Sequence, residues 1–149
     1  METDVLLREE NFHDEWASCV LPESVHVDAL ENACTMPETR YIISRIGKHN
    51  FKGKRILDVG CGCGEASVYF AKNGAVVTAS DISQGMLDLA LKVSAHHKIH
   101  IESKLCSAEE LPFEDSSFDI VYAANVLHHV DIKKAVHEAR CVRERRTAS

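Results

Sequence analysis

The chain has 149 residues, a length that fits one domain, and its 45% hydrophobic and 27% charged content is typical of a soluble globular protein. The net charge of −6 argues against a broad nucleic-acid surface and against binding to anionic membranes. No run is long and apolar enough to span a bilayer, and the N-terminus lacks the basic start and apolar stretch of a secretory signal. We therefore expect a cytoplasmic protein that binds neither nucleic acid nor a membrane.

The six cysteines are scattered, apart from Cys61 and Cys63. Without a signal peptide we expect them to stay reduced. A zinc site on this C-x-C pair is an alternative, but structural zinc usually needs four ligands at recognisable spacings, and no second matched pair follows. We therefore assign no metal ligand.

The first fifty residues are predicted to form a helical segment (1–50) that packs on the core. A helix should begin at Thr35 or Met36, because Pro37 is well tolerated in a first turn, and Gly47 is a plausible end. The stretch around His13 and Trp16 has two interpretations. It is either an amphipathic helix that packs on the core, which we favour, or a lid that closes a site.

From residue 51 to residue 142 the pattern alternates between strands and helices, which predicts a Rossmann-like parallel sheet with helices on both faces. Strands are expected at 56–59, 75–79, 99–105 and 118–124. Helices should follow Gly64 and end at Asn73-Gly74, and two more should be capped by Ser83 and Asp131. Only about the first four strands of a doubly wound sheet are visible, so the fourth would be an open edge that invites self-association. Residues 143–149 form a basic tail.

The most specific pattern is a glycine-rich turn, because the first strand carries Asp58 and glycines follow at positions 60, 62 and 64. Glycines let the backbone turn sharply and approach a ligand with no β-carbon in the way. Asp81 stands at the tip of the second strand, where a carboxylate can accept both hydroxyls of a ribose. These features predict a site for a nucleoside cofactor.

The spacing also discriminates between cofactors. A dinucleotide fingerprint needs glycine or alanine where this chain has Glu65, and an acid there would crowd the helix and repel a pyrophosphate. A cationic cofactor without phosphates prefers acids such as Asp58 and Glu65. The turn therefore favours S-adenosylmethionine over NAD, and ATP or GTP is disfavoured because the P-loop pattern is absent from the turn.

Four motifs in this order resemble the class I S-adenosylmethionine-dependent methyltransferases: LDVGCGCGEAS (57–67), VTASDISQGML (77–87), SAEELPFEDSSFDIVYAANVLHHV (107–130) and DIKKAVHEAR (131–140). The sequence looks most similar to the small-molecule branch that includes quinone-biosynthesis methyltransferases. The resemblance implies S-adenosylmethionine as cofactor and a small-molecule methyl acceptor.

The resemblance also implies roles for residues at the cofactor. The residues that would surround the methionine part are those of the turn, Asp58, Gly60, Cys61, Gly62 and Gly64. Asp81 would hold the ribose, with Ile82 and Met86 against the adenine. Ser107 stands where the family usually has an acid that accepts from the adenine amino group, and a neutral hydroxyl should bind more weakly.

The remaining roles lie beyond the ribose and at the acceptor end. The Ala108 amide would meet the adenine ring, and Ala124 and Asn125 would line the methyl-donor end. His128 and His129 follow the fourth strand, where either could act as a base or hydrogen-bond donor toward the acceptor. Packing at the entry of the next helix is the alternative, and we favour it for at least one of the pair.

The end of the sequence departs from the family. After HEAR the family usually continues with an RVLKPGG segment and further strands, whereas this chain continues from Cys141 to Ser149 and stops. We therefore expect a C-terminally truncated product. The leading hypothesis is an S-adenosylmethionine-dependent methyltransferase. The alternatives are a catalytically impaired cofactor-binding or regulatory homologue and, less favoured, an NAD-dependent oxidoreductase.

Overall fold

The computed structural model describes residues 2–27, 37–124 and 126–143, and within them it contains a four-stranded parallel sheet. Neighbouring strands are parallel throughout, in the order β3-β2-β1-β4. The strands are β1 (Arg55–Val59), β2 (Val76–Asp81), β3 (Glu102–Leu105) and β4 (Ile120–Ala123). The predicted Rossmann-like α/β fold is confirmed.

The helices are α1 (Glu2–Cys19), α2 (Pro37–Ile46), α3 (Glu65–Lys72), α4 (Gln84–His96) and α5 (Ile132–Val142). Short 3-10 turns cover Pro22–Ser24, Lys48–Asn50 and Leu127–His129. No helix in the described ranges is long and apolar enough to cross a membrane.

The sequence signals for helix ends are confirmed where the structure describes them. The Ser83 hydroxyl accepts the Met86 amide at 3.0 Å and caps α4, and the Asp131 carboxylate accepts two amides at the start of α5. Helix α3 ends before Gly74, which has φ of +90°. Helix α2 begins at the predicted proline and ends before Gly47, whereas residues 35 and 36 lie outside the described ranges.

Strand β1 is the centre of the fold and is covered on both faces. Ile56 belongs to a cluster with Phe70 and Val93, and Leu57 belongs to a second cluster with Phe118 and Ala135. Successive side chains of a strand point to opposite faces, so its continuous apolar run needs cover on both sides. Helices α3 and α4 contribute to the first cluster and helix α5 to the second.

The strand order places a switch point beside β1. The chain leaves β1 toward β2 and later returns on the other side as β4, so that Val59 pairs with both Ser80 and Ala123. The carboxyl ends of three strands therefore meet at one edge of the sheet. In open α/β sheets, ligands bind in the crevice at such an edge.

Both outer strands are shorter than predicted. The Ile99 amide donates to the Ser94 carbonyl oxygen at 2.9 Å and completes the end of α4, so pairing with β2 begins only at Glu102. Phe118 forms an isolated parallel bridge with Arg143, and β4 begins two residues later. The division into 1–50, 51–142 and 143–149 stays a prediction, and residues 144–149 lie outside the described ranges.

Candidate functional site

The glycine turn between β1 and α3 is tied to the end of β2. The amides of Gly60 and Cys61 both donate to the Ser80 carbonyl oxygen, at 2.8 and 2.9 Å. The Gly62 amide donates to a carboxylate oxygen of Asp81 at 3.0 Å. The turn and the strand-end acid, which the sequence singles out separately, are thus in direct contact.

The glycines of this turn differ in how much space a β-carbon would have at each position. At Gly62, where φ is +54°, a β-carbon would meet no atom within 4 Å. At Gly64, where φ is +83°, it would come within 2.6 Å of the Ala90 β-carbon, and at Gly60 within 2.7 Å of the Val126 β-carbon. Close packing on Val126 and Ala90, together with a positive φ, therefore accounts for glycine at positions 60 and 64, whereas position 62 faces open space.

The Asp81 carboxylate is oriented by two backbone amides. One oxygen accepts from Gly62 and the other from Ser83, both at 3.0 Å. A carboxylate offers about four lone-pair sites, so each oxygen keeps one for a ligand donor. The side chain is half-buried and lines the cavity described below.

Asp58 lies buried beneath the turn, with 2% of its surface exposed. Burial raises its pKa from 3.8 to about 7, a hydrogen bond from Ser67 at 2.7 Å lowers it, and the charges of Asp81 and Glu65 raise it further. A cation bound at this end of the site would stabilise the charged carboxylate, because an opposite charge favours the ionised form.

The remaining titratable groups of the turn are also shifted toward their protonated forms. Burial raises the pKa of the Glu65 carboxyl at the start of α3. Burial, and then the charge of Asp58, raise the pKa of the Cys61 thiol well above its usual range. Burial and the charge of Glu65 raise the pKa of Cys63 to about 11. In the described ranges, no group of three or more His, Cys, Asp or Glu side chains is arranged to hold a metal ion.

A cavity of about 550 Å³ opens where β1, β2 and β4 end. Gly64 and His128 do not line it, and Asn125 lies outside the described residues. The structure brings the other residues named from the sequence together in its lining: Asp58, Gly60, Cys61, Gly62, Asp81, Ile82, Met86, Ser107, Ala108, Ala124 and His129. Their roles in binding or catalysis stay predictions.

The charge of this lining is one-sided. Lysine and arginine do not occur among its described residues, whereas four carboxyl groups do, those of Glu9, Asp58, Glu65 and Asp81. Charges of one sign along a cleft with apolar walls focus the field and attract the opposite charge. The cavity therefore favours a cationic ligand and disfavours one that carries phosphates.

Helix α1 forms one wall of the cavity. Ala17 is its one buried residue among the side chains that the structure describes, whereas Phe12 and Trp16 are 64% and 45% exposed. Ala17 belongs to the core cluster around Ile56, so α1 contacts the core through this residue, while its large apolar side chains lie outside it. The two interpretations of this helix, as a core-packing segment or as a lid, stay predictions. The α1 residues that line the cavity are Leu6, Glu9, Phe12, His13 and Trp16.

Polar contacts of two acids, Asp14 and Glu9, hold α1 in this position. The Asp14 carboxylate accepts the Ser83 hydroxyl and, at 2.8 Å, the Gly85 amide at the start of α4. A β-carbon on Gly85 would lie 2.9 Å from that carboxylate oxygen and 3.0 Å from the Asp14 α-carbon, so glycine allows this approach. Closer to the N-terminus, a Glu9 carboxylate oxygen lies 2.7 Å from Nδ1 of His129.

Comparison with known proteins gives this architecture a family. A family described as "Methyltransferase domain" matches residues 57–145, which is more than half of the chain. The chain belongs to this family. The resemblance inferred from the four motifs is thereby confirmed.

Individual relatives match parts of this methyltransferase chain. Ubiquinone biosynthesis O-methyltransferase of Coxiella burnetii is 36% identical over 91 residues, which cover 61% of this chain and 38% of the relative. Phosphoethanolamine N-methyltransferase 3 of Arabidopsis thaliana is 32% identical over 85 residues, 56% of this chain and 17% of the relative. The crystal structure of the YcgJ protein of Bacillus subtilis is 26% identical, with a TM-score of 0.66 over 80% of this chain and 47% of its own. The chain spans less than half the length of each.

The methyltransferase match also shows what the motifs leave out. It begins at Leu57, so α1 and its cavity residues lie outside it. Sequence reasoning noted His13 and Trp16 but missed Leu6, Glu9 and Phe12. Phe12 and Trp16 are four residues apart and share one helix face, which is the signal that could have identified a second cavity wall.

Proposed function

We propose that this methyltransferase domain binds S-adenosylmethionine in the cavity and promotes transfer of its methyl group to a small molecule. The observation that carries the proposal is the cavity lining, with four carboxyl groups and no lysine or arginine among its described residues. S-adenosylmethionine carries an ammonium and a sulfonium and no phosphate, whereas NAD would bring a pyrophosphate close to Glu65. The lining therefore also disfavours an NAD-dependent oxidoreductase.

Different parts of the cavity suit different parts of this cofactor. Asp58 and the open backbone at Gly62 suit the ammonium end, and Asp81 can accept the ribose hydroxyls. Ile82 and Met86 offer apolar surface to the adenine. When bound, the cofactor supplies a methyl group activated by the sulfonium, so the protein mainly aligns donor and acceptor, which can contribute roughly 7–11 kcal/mol.

Ser107 fits the adenine end less tightly than an acid would. Its hydroxyl oxygen accepts the Glu109 amide at 3.1 Å and keeps one lone pair and its own proton for a ligand. A neutral hydroxyl contributes about 0.5–1.5 kcal/mol in a hydrogen bond, against about 1.5–3 kcal/mol for a charged partner. We therefore expect the cofactor to be held mainly through Asp81 and the turn.

The acceptor is proposed to be an uncharged aromatic molecule with a hydroxyl group. One relative is named as an O-methyltransferase of ubiquinone biosynthesis and another as an N-methyltransferase of phosphoethanolamine. The acidic lining disfavours a phosphorylated acceptor, and the apolar walls of Phe12, Trp16 and Val130 favour an aromatic one. His129 lies in the same lining and is the candidate base, whereas His128 packs against its ring, with centroids 3.7 Å apart and ring planes tilted by 46°.

Calorimetry on the full chain tests the cofactor, and a transfer assay tests the reaction. We expect binding of S-adenosylmethionine and S-adenosylhomocysteine but not of NADH, and labelled methyl transfer to catechol but not to phosphoethanolamine. The variant Asp81→Asn tests the proposed ribose contact. Asp88→Asn, which changes an exposed acid on α4, is its matched control. Binding without any transfer would instead support a catalytically impaired cofactor-binding homologue, and binding of NADH alone would overturn the proposal.

Self-association and location complete the proposal. Among the described residues, β4 pairs only with β1 and presents its outer edge, so a second copy of the chain could pair there. Light scattering coupled to size exclusion would show a concentration-dependent dimer, and a strict monomer would contradict this part.

We also propose that the protein is cytoplasmic and does not bind nucleic acid. Cell fractionation would check the location. An elution volume that nuclease treatment leaves unchanged would check that no nucleic acid is bound.

A further inference from the structure

Glu9 and His129 form a contact that the cofactor site does not need. Glu9 lies on α1, and His129 lies in the 3-10 turn that follows β4. Nδ1 of the histidine is 2.7 Å from a glutamate oxygen, and the two side chains are 39% and 24% exposed. Both line the cavity, beside Val126 and Val130 of the segment that follows β4.

This contact selects the tautomer of the histidine. An ionised carboxylate only accepts hydrogen bonds, so at this distance Nδ1 of His129 carries the proton. In the neutral ring the other nitrogen, Nε2, is then an acceptor with a free lone pair. A carboxylate behind Nδ1 also stabilises the imidazolium that forms when Nε2 takes a proton.

We propose that Glu9 is a positioning residue that holds His129 in the tautomer whose Nε2 accepts the proton of the acceptor hydroxyl. This rests on the proposed function. In the step, Nε2 takes the hydroxyl proton while the acceptor oxygen bonds to the methyl carbon. The bond from that carbon to the sulfonium sulfur breaks, and its electron pair stays on sulfur. The imidazolium, paired with Glu9, later releases its proton to water.

In this proposal, helix α1 takes part in the chemistry and also forms a wall of the cavity. The base is complete only when α1 is docked, because Glu9 reaches His129 from that helix. A purely structural ion pair would instead only tie α1 to the turn after β4. The two roles differ in what they predict for the histidine tautomer and for acceptors of different acidity.

The tautomer is measured by nitrogen NMR on the full chain labelled in histidine, with the His129 signals assigned by their loss in His129→Asn. We expect a Nδ1–H tautomer in the wild-type protein, the same tautomer in Glu9→Gln, whose amide oxygen still accepts, and its loss in Glu9→Leu. Glu10→Leu, the matched change at the next position of α1, should leave the spectrum unchanged. An unchanged His129 tautomer in Glu9→Leu would overturn the proposal.

Turnover is measured with a series of phenols of increasing acidity. General-base assistance typically contributes about 10²–10⁴-fold, so His129→Asn should lose about that factor with a weakly acidic phenol, and Glu9→Leu about ten- to hundredfold. Both losses should fall in kcat, measured at saturating S-adenosylmethionine, and should shrink toward none for a nitrophenol that is already ionised. Glu9→Gln should lose less than Glu9→Leu.

The outcomes separate this inference from the proposed function. If the wild-type chain transfers methyl groups but Glu9→Leu behaves like Glu10→Leu, the inference fails and the proposed function stands. If the loss in Glu9→Leu is equal for all phenols, Glu9 has a structural role only, and the inference also fails. If the wild-type chain transfers no methyl group to any acceptor, both fail together.

Discussion

The glycine turn and helix α1 face each other across the same cavity, but they are held in place differently. The turn follows a buried strand, and its amides bond to Ser80 and Asp81 at the tip of β2. Helix α1 has one buried residue among its described side chains and is held by the carboxylates of Asp14 and Glu9. Local opening is easiest where few apolar contacts are buried, so α1 should open without disturbing the turn.

The largest effect is expected at Asp81, which contacts the turn and which we propose to bind the ribose of the cofactor. Asp81→Asn loses the charge and places an amide group against the Gly62 or Ser83 amide, both of which now donate to the carboxylate. Hydrogen bonds to charged groups contribute about 1.5–3 kcal/mol each, so the affinity for S-adenosylmethionine should fall by about a hundredfold or more. Calorimetry measures this, and a loss no greater than that of Asp88→Asn would contradict it.

Two alanine substitutions within the turn should separate folding from binding. Gly64→Ala brings a β-carbon against Ala90 in a left-handed conformation and should lower the free energy of unfolding by about 3 kcal/mol. Gly62→Ala meets no protein atom and should cost about 1 kcal/mol, but it should weaken cofactor binding more than Gly64→Ala weakens it.

Urea unfolding and calorimetry on the same variants supply both numbers. Gly53→Ala, at another positive-φ position with open space around it, gives the cost of the backbone conformation alone. Equal destabilisation by all three substitutions would show that the packing of Gly64 on α4 contributes nothing.

Asp58 should make the turn sensitive to pH in two opposite ways. Its pKa is raised to about 7, so its contribution to stability is complete below 3.8 and is lost as the pH rises through 7. The charged form attracts a cation, so the affinity for S-adenosylmethionine should instead rise with pH below 7, by at most about tenfold per unit. Calorimetry between pH 5.5 and 8 should show this rise in the wild-type protein and a weaker pH dependence in Asp58→Asn.

The smallest effect should appear on the α1 side. Gly85→Ala places a β-carbon 2.9 Å from the Asp14 carboxylate and should displace α1 at a cost of about 1 kcal/mol. Hydrogen exchange should become faster in α1 and stay unchanged in β1 and β2, and S-adenosylhomocysteine should dissociate faster. Asp4→Asn, which breaks an exposed pair with Arg8 on the same helix, is the control. Faster exchange in β1 would show that α1 and the turn open together.

The contrast between the turn and α1 also explains which features could be predicted from the sequence. The turn, the acid at the tip of β2 and the caps at Ser83 and Asp131 were predictable because each depends on residues a few positions apart. The order of the strands follows from alternation with helices. The shorter outer strands were not predictable, because the end of α4 and the bridge from Phe118 to Arg143 compete for the residues that would extend them.

The position of α1 depends on contacts between distant parts of the chain. Asp14 meets Gly85 only after α4 has packed on the sheet, and Glu9 meets His129 only after β4 is in place. No local pattern distinguishes these acids from other surface acids of α1. Besides the shared helix face of Phe12 and Trp16, a glycine in the first turn of α4 was an available hint, since glycine there lowers helix propensity and needs a packing reason.

The raised pKa values of the cavity thiols have a consequence for the proposed binding of a methylating agent beside them. Burial and neighbouring carboxylates hold Cys61 and Cys63 in the neutral form, and burial also raises the pKa of Cys106, the third thiol of the lining. A thiol attacks electrophiles as the thiolate, so suppressing ionisation suppresses attack on an activated methyl group. With the donor bound as proposed, burial of these thiols and the acids beside them would protect the protein from alkylating itself.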